Sequence, residues 1–526
     1  MKPTKAKPTI TRSSVWAATA KLPACRPLAA DVACDVCIVG AGIAGLTTGY
    51  LLAKSGKRVV ILDDGPLAGG MTQVTTAHLS NAIDDRFTII ERWHGQEGAR
   101  LAAQSHAAAI DRIEQTAVEL GVDCDFKRLD GYLFRQPDDG ESEDFLEQEL
   151  AAAQRAGVAG VELVPSPIDS PSLGRCLRFP HQARFHPLKY LDAVSRAIQT
   201  LGGQIYANSH ADKIEGGDQA KVTVGEHTVT AGSVVVATNS PVNDIVAIHT
   251  KQAPYMTYVV GCKVPRGSVP DALYWDTIEY YHYVRLQPYE GESEAGEDQQ
   301  QYDVLIVGGE DHKTGQAEDT KERHARLLEW TREHFPLAEE LAVTWAGQVM
   351  ETIDGLAFIG RNPLDKDNVY IATGDSGMGM THGTIAGMLL TDMILGRENP
   401  WEKLYDPSRK TVRAARVFLE ENLNVAKQYA DWVTPGEVSS VDEVPRGSGA
   451  VLRRGMTKVA VSRDEQGNVT EISAVCPHMH CIVHWNAEET TWDCPCHGSR
   501  FRADGEVVNG PANRNLAPVE GEDAPK

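Results

Sequence analysis

Residues 34–45 read Cys-Asp-Val-Cys-Ile-Val-Gly-Ala-Gly-Ile-Ala-Gly, an apolar run that leads directly into a glycine-rich turn. The residues that follow, Leu46–Ser55, have the composition of a helix, and the next apolar run, Arg58–Asp63, ends on an acid. Strand, GxGxxG turn, helix, strand and acid in this order form the fingerprint of a βαβ unit that binds a dinucleotide. A glycine-rich turn in an ordinary α/β unit is the alternative, but it would not require every element. The stretch therefore predicts a Rossmann-type nucleotide domain.

The individual positions of this fingerprint have separate physical roles. Gly40 and Gly42 let the backbone turn and approach a pyrophosphate at the helix N-terminus. Gly45 allows the helix to pack closely on the strand, and Asp63 is placed to accept a hydrogen bond from a ribose hydroxyl. FAD and NAD carry the same ADP half, so these residues alone do not distinguish them.

A second motif lies near the C-terminus, where Cys476-Pro477-His478 and Cys494-Pro495-Cys496-His497 offer ligands from two short segments. A C-x-H … C-x-x-H pattern supplies two thiolates and two imidazoles, which suits the [2Fe–2S] centre of a Rieske protein. Zinc also accepts a Cys2His2 set, but zinc modules usually pair C-x-x-C with H-x(3–5)-H. Because each segment here contributes one cysteine and one histidine as a pair, the spacing favours the iron–sulfur cluster.

The segments 476–481 and 494–499 closely resemble the two cluster loops of Rieske proteins. The resemblance implies that Cys476 and Cys494 bind one iron, and that His478 and His497 bind the other. It also implies a disulfide between Cys481 and Cys496, which Rieske proteins of the respiratory type have and simple Rieske ferredoxins lack. Two reduced thiols are the alternative, because cytosolic glutathione disfavours disulfides.

Three further residues of this region bear on the reduction potential. Ser499 matches a serine that donates a hydrogen bond to a cluster sulfur in respiratory homologues, and Phe501 stands where those homologues carry a tyrosine hydroxyl. Such hydrogen bonds raise the potential of the cluster, so we expect an intermediate value. Gly510-Pro511 resembles the proline loop that shields the cluster.

Four motifs resemble flavoproteins of the D-amino-acid oxidase and glycine oxidase type. Gly69–His78 is similar to their hydroxyl-rich loop, and Val234–Asn239 to the strand that returns to the nucleotide domain. Trp345–Arg361 resembles the strand beside the flavin ring, and Gly374–Gly383 the final glycine-rich loop. The helix after that loop, Thr384–Leu395, would direct its N-terminal dipole at the flavin and stabilise its reduced, anionic form.

Together with the cluster loops, these motifs resemble bacterial FAD-dependent, amine-oxidase-like proteins with a C-terminal Rieske domain. The resemblance implies FAD and a Rieske [2Fe–2S] cluster as cofactors. The residues expected to bind FAD are Gly40, Gly42, Ile43, Ala44, Gly45, Asp63, Asp64, Thr75, Thr76, Ala211, Thr238, Gly347, Gly377, Met378, Gly379, Met380 and Thr381.

The expected fold combines α/β and β classes: a discontinuous Rossmann-type FAD domain with an α+β substrate domain, followed by an all-β Rieske domain. The expected order is an N-terminal arm (1–30), the FAD-dependent oxidoreductase (31–405), a helical linker (406–436) and the Rieske domain (437–526). Within the oxidoreductase, the FAD-binding segments are 31–80, 185–250 and 345–400, and the substrate domain comprises 81–184 and 251–344.

Composition excludes several classes of partner. The formal net charge of −22 over 526 residues disfavours nucleic acid and anionic membranes as partners. No apolar run has the length of a membrane span, and the first 30 residues lack the apolar core of a signal peptide. We therefore expect a cytoplasmic protein without a membrane span, whose cysteines outside the cluster loops are packing residues.

Candidates for contact with substrate or flavin are Tyr283, Arg285 and His382. The run Tyr280–Arg285 alternates like a strand, and the resemblance places a strand here over the flavin. Arg285 can pair a substrate carboxylate or form a surface salt bridge, and Tyr283 can contact substrate or simply pack. His382 can lie at the flavin ring or cap the helix after its loop. His78 falls near the position where some relatives attach FAD covalently, although we expect non-covalent FAD.

The resemblance implies an oxidoreductase acting on CH–NH or CH–NH2 groups. We expect a dehydrogenase that oxidises a C–N bond of a small amine or amino acid. It then passes electrons through the cluster to an external one-electron acceptor; the expected redox partner, acceptor or donor, is a ferredoxin, a cytochrome or a quinone-linked protein. The alternatives are an electron-transfer or reductase component that feeds a partner enzyme, and an oxygen-using amine oxidase.

Overall fold

The computed structural model describes residues 11–136, 139–168, 174–243, 248–289, 302–338 and 340–519. The first ten residues of the expected arm and the last seven of the expected Rieske domain lie outside these ranges. Within them, the chain forms a parallel sheet, a large mixed sheet and two small antiparallel sheets. The predicted combination of a Rossmann-like α/β part and a C-terminal all-β part is confirmed.

The parallel sheet is centred on Val32–Val39, which pairs in parallel with His227–Val236 on one side and Val59–Leu62 on the other. These runs are almost continuously apolar because helices and the large sheet cover both faces. In order across it, the strands are Phe358–Arg361, Val369–Thr373, His227–Val236, Val32–Val39, Val59–Leu62 and Gln204–Tyr206. The short strands Ala220–Val224 and Lys213–Glu215 extend from His227–Val236.

Two apolar helices pack against each other beside this sheet. Ile43–Lys54 follows the GxGxxG turn, and Gly379–Ile394 follows the last glycine-rich loop. Their close approach requires glycine, since a Cβ on Gly387 would collide with the side chain of Thr47. The packing brings the N-terminal ends of both helices to the same side of the sheet, where their backbone N–H groups can receive an anionic ligand.

The large mixed sheet covers this side of the nucleotide domain. Across it, the strands are Thr11–Arg12, Glu340–Thr352, Gln252–Pro265, Tyr302–Lys313, Tyr283–Tyr289, Leu273–Asp276, Lys127–Phe134, Arg175–Arg184 and His78–Leu79, with Glu162–Pro165 beside Arg175–Arg184. Glu340–Thr352 pairs with Gln252–Pro265 along nearly its whole length. The expected boundary between residues 344 and 345 therefore falls inside one continuously paired strand.

Helices surround the two large sheets. Phe87–Leu120 is interrupted at Gly95, whose φ of 75° lies in the left-handed region, and His186 caps the helix Pro187–Thr200. The remaining α-helices of the described ranges are Val15–Thr19, Phe145–Arg155, Thr320–His334, Glu402–Tyr405 and Ala415–Gln428. The N-terminal arm packs on the flavoprotein part, because the buried indole of Trp16 donates to the carbonyl of Thr75 at 2.6 Å.

The C-terminal part consists of two small antiparallel sheets. One contains Ser448–Arg454, Thr457–Arg463 and Val469–Ser473, and the other His484–Asn486, Thr491–Asp493, Arg500–Arg502 and Val507–Asn509. The linker before them touches the first cluster loop, since the hydroxyl of Tyr429 donates to the carbonyl of Met479 at 2.7 Å. None of the helices in the described ranges is long and apolar enough to cross a membrane.

Candidate active site and cluster site

A cavity of about 580 Å³ lies between the parallel sheet and the large mixed sheet. Its size falls within the range of cofactor and ligand sites in proteins. The cavity begins at the GxGxxG turn. Other parts of its wall are formed by Tyr283, the strand at Gly347 and the C-terminal segment at Asn509. The cavity therefore touches the nucleotide fold, the covering sheet and the all-β part.

The turn at the nucleotide end is shaped for close approach of a ligand to the backbone. Gly40 has a φ of 104°, and a Cβ there would collide with the carbonyl of Ala237. A Cβ on Gly45 would collide with the carbonyl of Gly40. The helix N-terminus is open at Gly42, which has no side-chain cap. This cradle fits a pyrophosphate, whose charge the helix dipole favours.

Asp63, the acid expected to bind the ribose, lies at the same end of the cavity. Asp63 accepts hydrogen bonds from the backbone N–H groups of Ala41 at 2.6 Å and Gly65 at 2.9 Å. Burial raises its pKa to about 6, and the backbone hydrogen bonds oppose this rise. Asp64 is exposed beside His210, with 3.7 Å between Oδ2 and Nδ1.

Most residues predicted to bind FAD are brought together here. The cavity is lined by Gly40, Gly42, Ile43, Ala44, Asp63, Asp64, Thr75, Thr76, Ala211, Thr238, Gly347, Gly377, Met378, Gly379 and Met380. Gly45 and Thr381 lie behind the wall. Gly45 packs against Gly40, and the buried hydroxyl of Thr381 bonds to the ring of His106 at 2.9 Å.

The three catalytic candidates have different environments. Tyr283 lines the cavity, and its hydroxyl bonds to that of Thr257 at 2.6 Å. His382 also lines it, but its ring is held between the carbonyl of Asp375 at 2.8 Å and His106 at 3.2 Å. Burial lowers the pKa of His382 to about 4, so the ring is neutral at pH 7.

Arg285 is not brought into the cavity. Its fully buried guanidinium donates to the carbonyls of Ala77 at 2.8 Å and Phe185 at 3.1 Å, and to Gln287 at 2.6 Å. It also lies over the ring of Trp16, with 5.1 Å to the centroid. The guanidinium therefore binds main-chain carbonyls behind the loop Gly69–His78. The sequence had predicted a substrate carboxylate or a surface acid as its partner.

Four carboxyl groups that the sequence patterns did not single out also line the cavity: Asp84, Asp311, Glu351 and Asp375. Burial raises the pKa of Asp311 to about 7 and that of Asp375 to about 6. Burial and the neighbouring acids hold the pKa of Glu351 well above its usual range. Glu351 and Asp375 fall within the motifs Trp345–Arg361 and Gly374–Gly383, which assign neither of them a role, and Asp84 and Asp311 lie outside every motif. The four groups come from separate elements that meet only in the folded chain.

The predicted cluster ligands meet at one end of the small sheets. Cys476, Cys494 and His497 are buried, and the imidazoles of His478 and His497 lie 5.0 Å apart between ring centroids. The thiol of Cys494 donates to the sulfur of Cys476, which lowers the pKa of Cys476 and raises that of Cys494. The Nδ1 atom of His497 is buried and has no hydrogen-bond partner among the described residues. Two thiols and a buried imidazole nitrogen left for a ligand suit a mixed sulfur and nitrogen centre.

Cys481 and Cys496 form the disulfide that the resemblance to respiratory Rieske proteins implied. The sulfur of Cys494 lies within 4.8 Å of both their sulfurs. Because the disulfide occupies Cys481 and Cys496, Cys476 and Cys494 are the thiols of these loops that remain available as ligands. The hydroxyl of Ser499 is buried there, bonded to the N–H of Ala512 at 2.9 Å and to Cys476.

The cluster loops are attached directly to the wall of the cavity. Gln348, which lines the cavity, donates to the carbonyl of Gly498 at 2.8 Å and accepts a hydrogen bond from Asn509. Gly498 immediately follows the predicted ligand His497. A single buried side chain therefore connects the cavity with the second cluster loop.

His249 makes a second connection. Its ring centroid lies 4.8 Å from that of His478 and 5.7 Å from that of His497. Its Nε2 atom is 3.2 Å from the carbonyl of Pro241, three residues after Thr238 in the cavity wall. The histidine side of the cluster site therefore faces the flavoprotein part of the same chain. His249 lies outside the motifs of the sequence, and Gln348 lies in the segment Trp345–Arg361 without a role assigned to it there.

Comparison with known proteins agrees with this division. The family model described as FAD dependent oxidoreductase (DAO) matches residues 35–393, and the model described as Rieske [2Fe-2S] domain matches residues 434–520. The chain is 30% identical over 510 residues to YhfW of Bacillus subtilis (strain 168), whose name describes a Rieske 2Fe-2S iron-sulfur protein. That match covers 96% of this chain and 97% of YhfW.

Two further matches concern the flavoprotein part alone. Gamma-glutamylputrescine oxidoreductase of Escherichia coli (strain K12) is 25% identical over 400 residues, or 73% of this chain and 89% of that protein. The crystal structure of glycine oxidase from Geobacillus kaustophilus shares the fold with a TM-score of 0.57 at 16% identity, covering 72% of this chain and 99% of that one. The chain belongs to the DAO family of FAD dependent oxidoreductases and carries a C-terminal Rieske [2Fe–2S] domain.

Proposed function

We propose that the protein is a dehydrogenase that oxidises a carbon–nitrogen bond of a small amine or amino acid. In this proposal the electrons pass from FAD through the Rieske cluster to an external one-electron acceptor, linked to ferredoxin, cytochrome or quinone. The observation that carries the proposal is the contact made by Gln348, which lines the cavity and bonds to the cluster loop at Gly498. A cluster attached to the flavin cavity by a buried hydrogen bond suits electron exchange within one chain.

The residues of the cavity and the loops would hold the two groups. The glycine turn at Gly40 and the helix beginning at Gly379 would bind FAD, and Cys476, His478, Cys494 and His497 would bind the cluster. When bound, FAD accepts two electrons from a substrate and the cluster accepts electrons one at a time.

The side chains around the predicted flavin end can orient a substrate. The hydroxyl of Tyr283 is fixed by Thr257 at 2.6 Å, so its position in the cavity is defined. A substrate that binds as an ammonium ion carries a proton on its nitrogen. An amine must lose this proton before its C–H bond can be oxidised, because the nitrogen lone pair stabilises the product.

The comparisons support the reaction class. The relative from Escherichia coli is named as a gamma-glutamylputrescine oxidoreductase, and it matches the flavoprotein part. The match to YhfW spans both the flavoprotein part and the Rieske domain. A flavoprotein that used oxygen as its main oxidant would have no need of a one-electron relay.

Steady-state oxidation with two oxidants tests the proposal. A panel of amines and amino acids is supplied with either ferricenium or oxygen, and hydrogen peroxide is measured in parallel. We expect ferricenium to support faster turnover than oxygen, and we expect Cys476→Ser to lose that advantage. Stoichiometric peroxide at an equal rate in both proteins would instead establish an oxygen-using amine oxidase. Flavin that no member of the panel reduces would favour a reductase or electron-transfer component.

A further inference from the structure

The end of the cavity that lies between Gly347 and the last glycine-rich loop has an acidic wall. We use this name for Asp84, Asp311, Glu351 and Asp375, which all line the cavity. They reach it from the loop before the long helix, from the two strands of the mixed sheet that flank Gln252–Pro265, and from the glycine-rich loop. Burial, and then repulsion by acids that include Asp84, Asp375 and Asp311, raises the pKa of Glu351, so the four groups are close enough to interact.

The protein supplies little positive charge to balance this wall. In the described part of the chain, none of the four carboxyl groups forms an ion pair with lysine, arginine or histidine. Arg86 lines the cavity and its charge opposes the rise that burial causes in the pKa of Asp84, but its guanidinium donates hydrogen bonds to the main-chain carbonyls of Asp84 and Asp276. Arg323 is paired with Asp319 at 2.8 Å.

Two features of the wall indicate that its partner is a ligand. The Oδ1 atom of Asp311 is buried and has no hydrogen-bond partner among the described residues. The rings of Tyr281 and Tyr283, 5.5 Å apart between centroids, line the cavity beside it. Carboxylates and aromatic faces are the groups that bind ammonium ions in proteins.

The cavity also lacks the usual partner for a substrate carboxylate. Arg285, the arginine on the covering strand, is fully committed to the carbonyls of Ala77 and Phe185 and to Gln287. A carboxylate placed against the acidic wall would be repelled by each wall carboxyl group that is ionised and would gain no compensating ion pair.

From this arrangement we infer that the substrate is an aliphatic diamine or polyamine without a carboxylate, held by its second ammonium group on the acidic wall. This inference rests on the proposed amine oxidation and specifies its substrate. In the reaction, R–CH2–NH2 loses two electrons and two protons to give R–CH=NH, and water then releases the aldehyde and ammonia. FAD accepts both electrons, and two molecules of a one-electron acceptor oxidise it again.

A matched set of compounds tests the inference on the full-length protein loaded with both cofactors. 1,4-Diaminobutane, butylamine and 4-aminobutanoate present the same chain with an ammonium, a methyl or a carboxylate at the far end. Diamines of three to six carbons, spermidine, glycine and D-alanine complete the panel. Anaerobic bleaching of the flavin gives the reduction rate and the apparent Kd for each compound.

We expect a diamine or spermidine to reduce the flavin with an apparent Kd at least about tenfold below that of butylamine, since an ion pair on a buried carboxylate is lost in the monoamine. We expect no measurable reduction by 4-aminobutanoate. If glycine or D-alanine reduces the flavin and the diamines do not, the inference is wrong and the amine or amino-acid dehydrogenase stands. If no compound reduces it, the proposed function and the inference both fail.

Neutral variants locate the binding group. Asp311→Asn and Glu351→Gln preserve shape, and we expect each to weaken the diamine about tenfold while changing the Kd of butylamine less than about threefold. Glu310→Gln is the matched control, because Glu310 neighbours Asp311 in sequence but pairs with Arg326 at 2.7 Å outside the cavity lining. Flavin and cluster absorbance verify folding of every variant. An equal loss for diamine and monoamine in both wall variants would contradict the role of the acidic wall.

Discussion

The cluster site and the flavin cavity, each of which is expected to hold a redox group, are built in opposite ways. The cluster site uses two loops that are close in sequence, joined by the disulfide Cys481–Cys496 and closed on nearly all sides by buried residues. The cavity is assembled from glycine-rich turns and strands that extend from Gly40 to Asn509. One site is rigid, local and small, and the other is wide and built from distant segments.

This difference separates what each site can do. The cluster site offers the predicted ligands Cys476, His478, Cys494 and His497 to a metal centre, and a Rieske centre exchanges electrons. A cavity of about 580 Å³ has space for a cofactor together with part of a substrate. The contact of Gln348 with Gly498 is then the point where the two kinds of site meet.

The largest expected effect is loss of the cluster while flavin reduction is retained. Cys476→Ser removes a predicted thiolate ligand, so we expect cluster content to fall by more than about 100-fold, beyond the loss typical of changes outside the ligand set. Flavin reduction by substrate should persist, because the cavity is unaffected. Iron analysis and electron paramagnetic resonance measure the cluster. Cys25→Ser, at a half-buried free thiol, is the control.

The reciprocal change removes the flavin and leaves the cluster. In Gly40→Ala a Cβ at a φ of 104° would collide with the carbonyl of Ala237, so we expect bound FAD to fall at least about tenfold. Gly56→Ala is the control, because Gly56 also has a positive φ, of 82°, its Cβ would meet nothing within 4 Å, and it lies outside the cavity lining. Absorbance of the purified proteins reports both groups. Full FAD content in Gly40→Ala would contradict the assigned pyrophosphate cradle.

A change at the junction should leave both groups bound and slow the exchange between them. Gln348→Leu leaves the buried carbonyl of Gly498 without its donor, and we expect electron transfer to the cluster to slow about tenfold. Gln316→Leu removes a similar hydrogen bond, of 3.1 Å to the carbonyl of Pro495, from a residue outside the cavity lining. Stopped-flow traces at flavin and cluster wavelengths distinguish the two variants. Equal slowing in both would show that the cavity-side contact has no special role.

We expect the pH dependence of diamine binding to arise from groups of the cavity alone. Burial raises the pKa of Asp311 to about 7, so below this pH the group is protonated and a cationic ligand must displace the proton. We therefore expect diamine affinity to rise as pH increases from 6 to 8, by up to about tenfold per pH unit below the pKa. The charged or titratable groups around Asp311 are Asp84, Glu310, Glu351, Asp375, Tyr281, Tyr283, Arg86 and Arg323. A profile that remains equally steep in Asp311→Asn would assign the titration to another of these groups.

The smallest effect concerns the potential of the cluster. Phe501 is fully buried on the strand that pairs with Trp492, so it offers no hydrogen bond to the predicted cluster. We expect Phe501→Tyr to raise the potential by about 40–60 mV, the value of one net hydrogen bond for a one-electron couple. Phe501→Leu is the control for packing. Redox titration of the three proteins would count against this reasoning if the tyrosine variant did not exceed the others.

The two sites also differ in how far the sequence predicts them. The cluster loops are short motifs whose ligand types and spacing are set by the metal centre itself. The ligands Cys476, His478, Cys494 and His497 can therefore be predicted directly from the sequence. The glycine turn at Gly40 is readable for a similar reason, because only glycine meets its backbone and steric demands.

The substrate end was not predictable in the same way. Asp84, Asp311, Glu351 and Asp375 converge only in the folded chain, where the pairing of the mixed sheet brings Asp311 and Glu351 to the cavity. The motifs around Glu351 and Asp375 assign no role to either carboxyl group. Arg285 has the residue type expected at a carboxylate site, yet its side chain is buried behind the cofactor loop. Gln348 and His249 likewise acquire their roles from packing between distant segments.

The central claim is that electrons from the cavity reach the cluster of the same chain. A single-turnover experiment under anaerobic conditions tests it most directly: the protein is mixed with a reducing amine, and flavin and cluster spectra are followed together. We expect flavin bleaching to be followed by cluster reduction at a rate independent of protein concentration. A cluster that stays oxidised beside a reduced flavin, or a rate that rises with protein concentration, would contradict it.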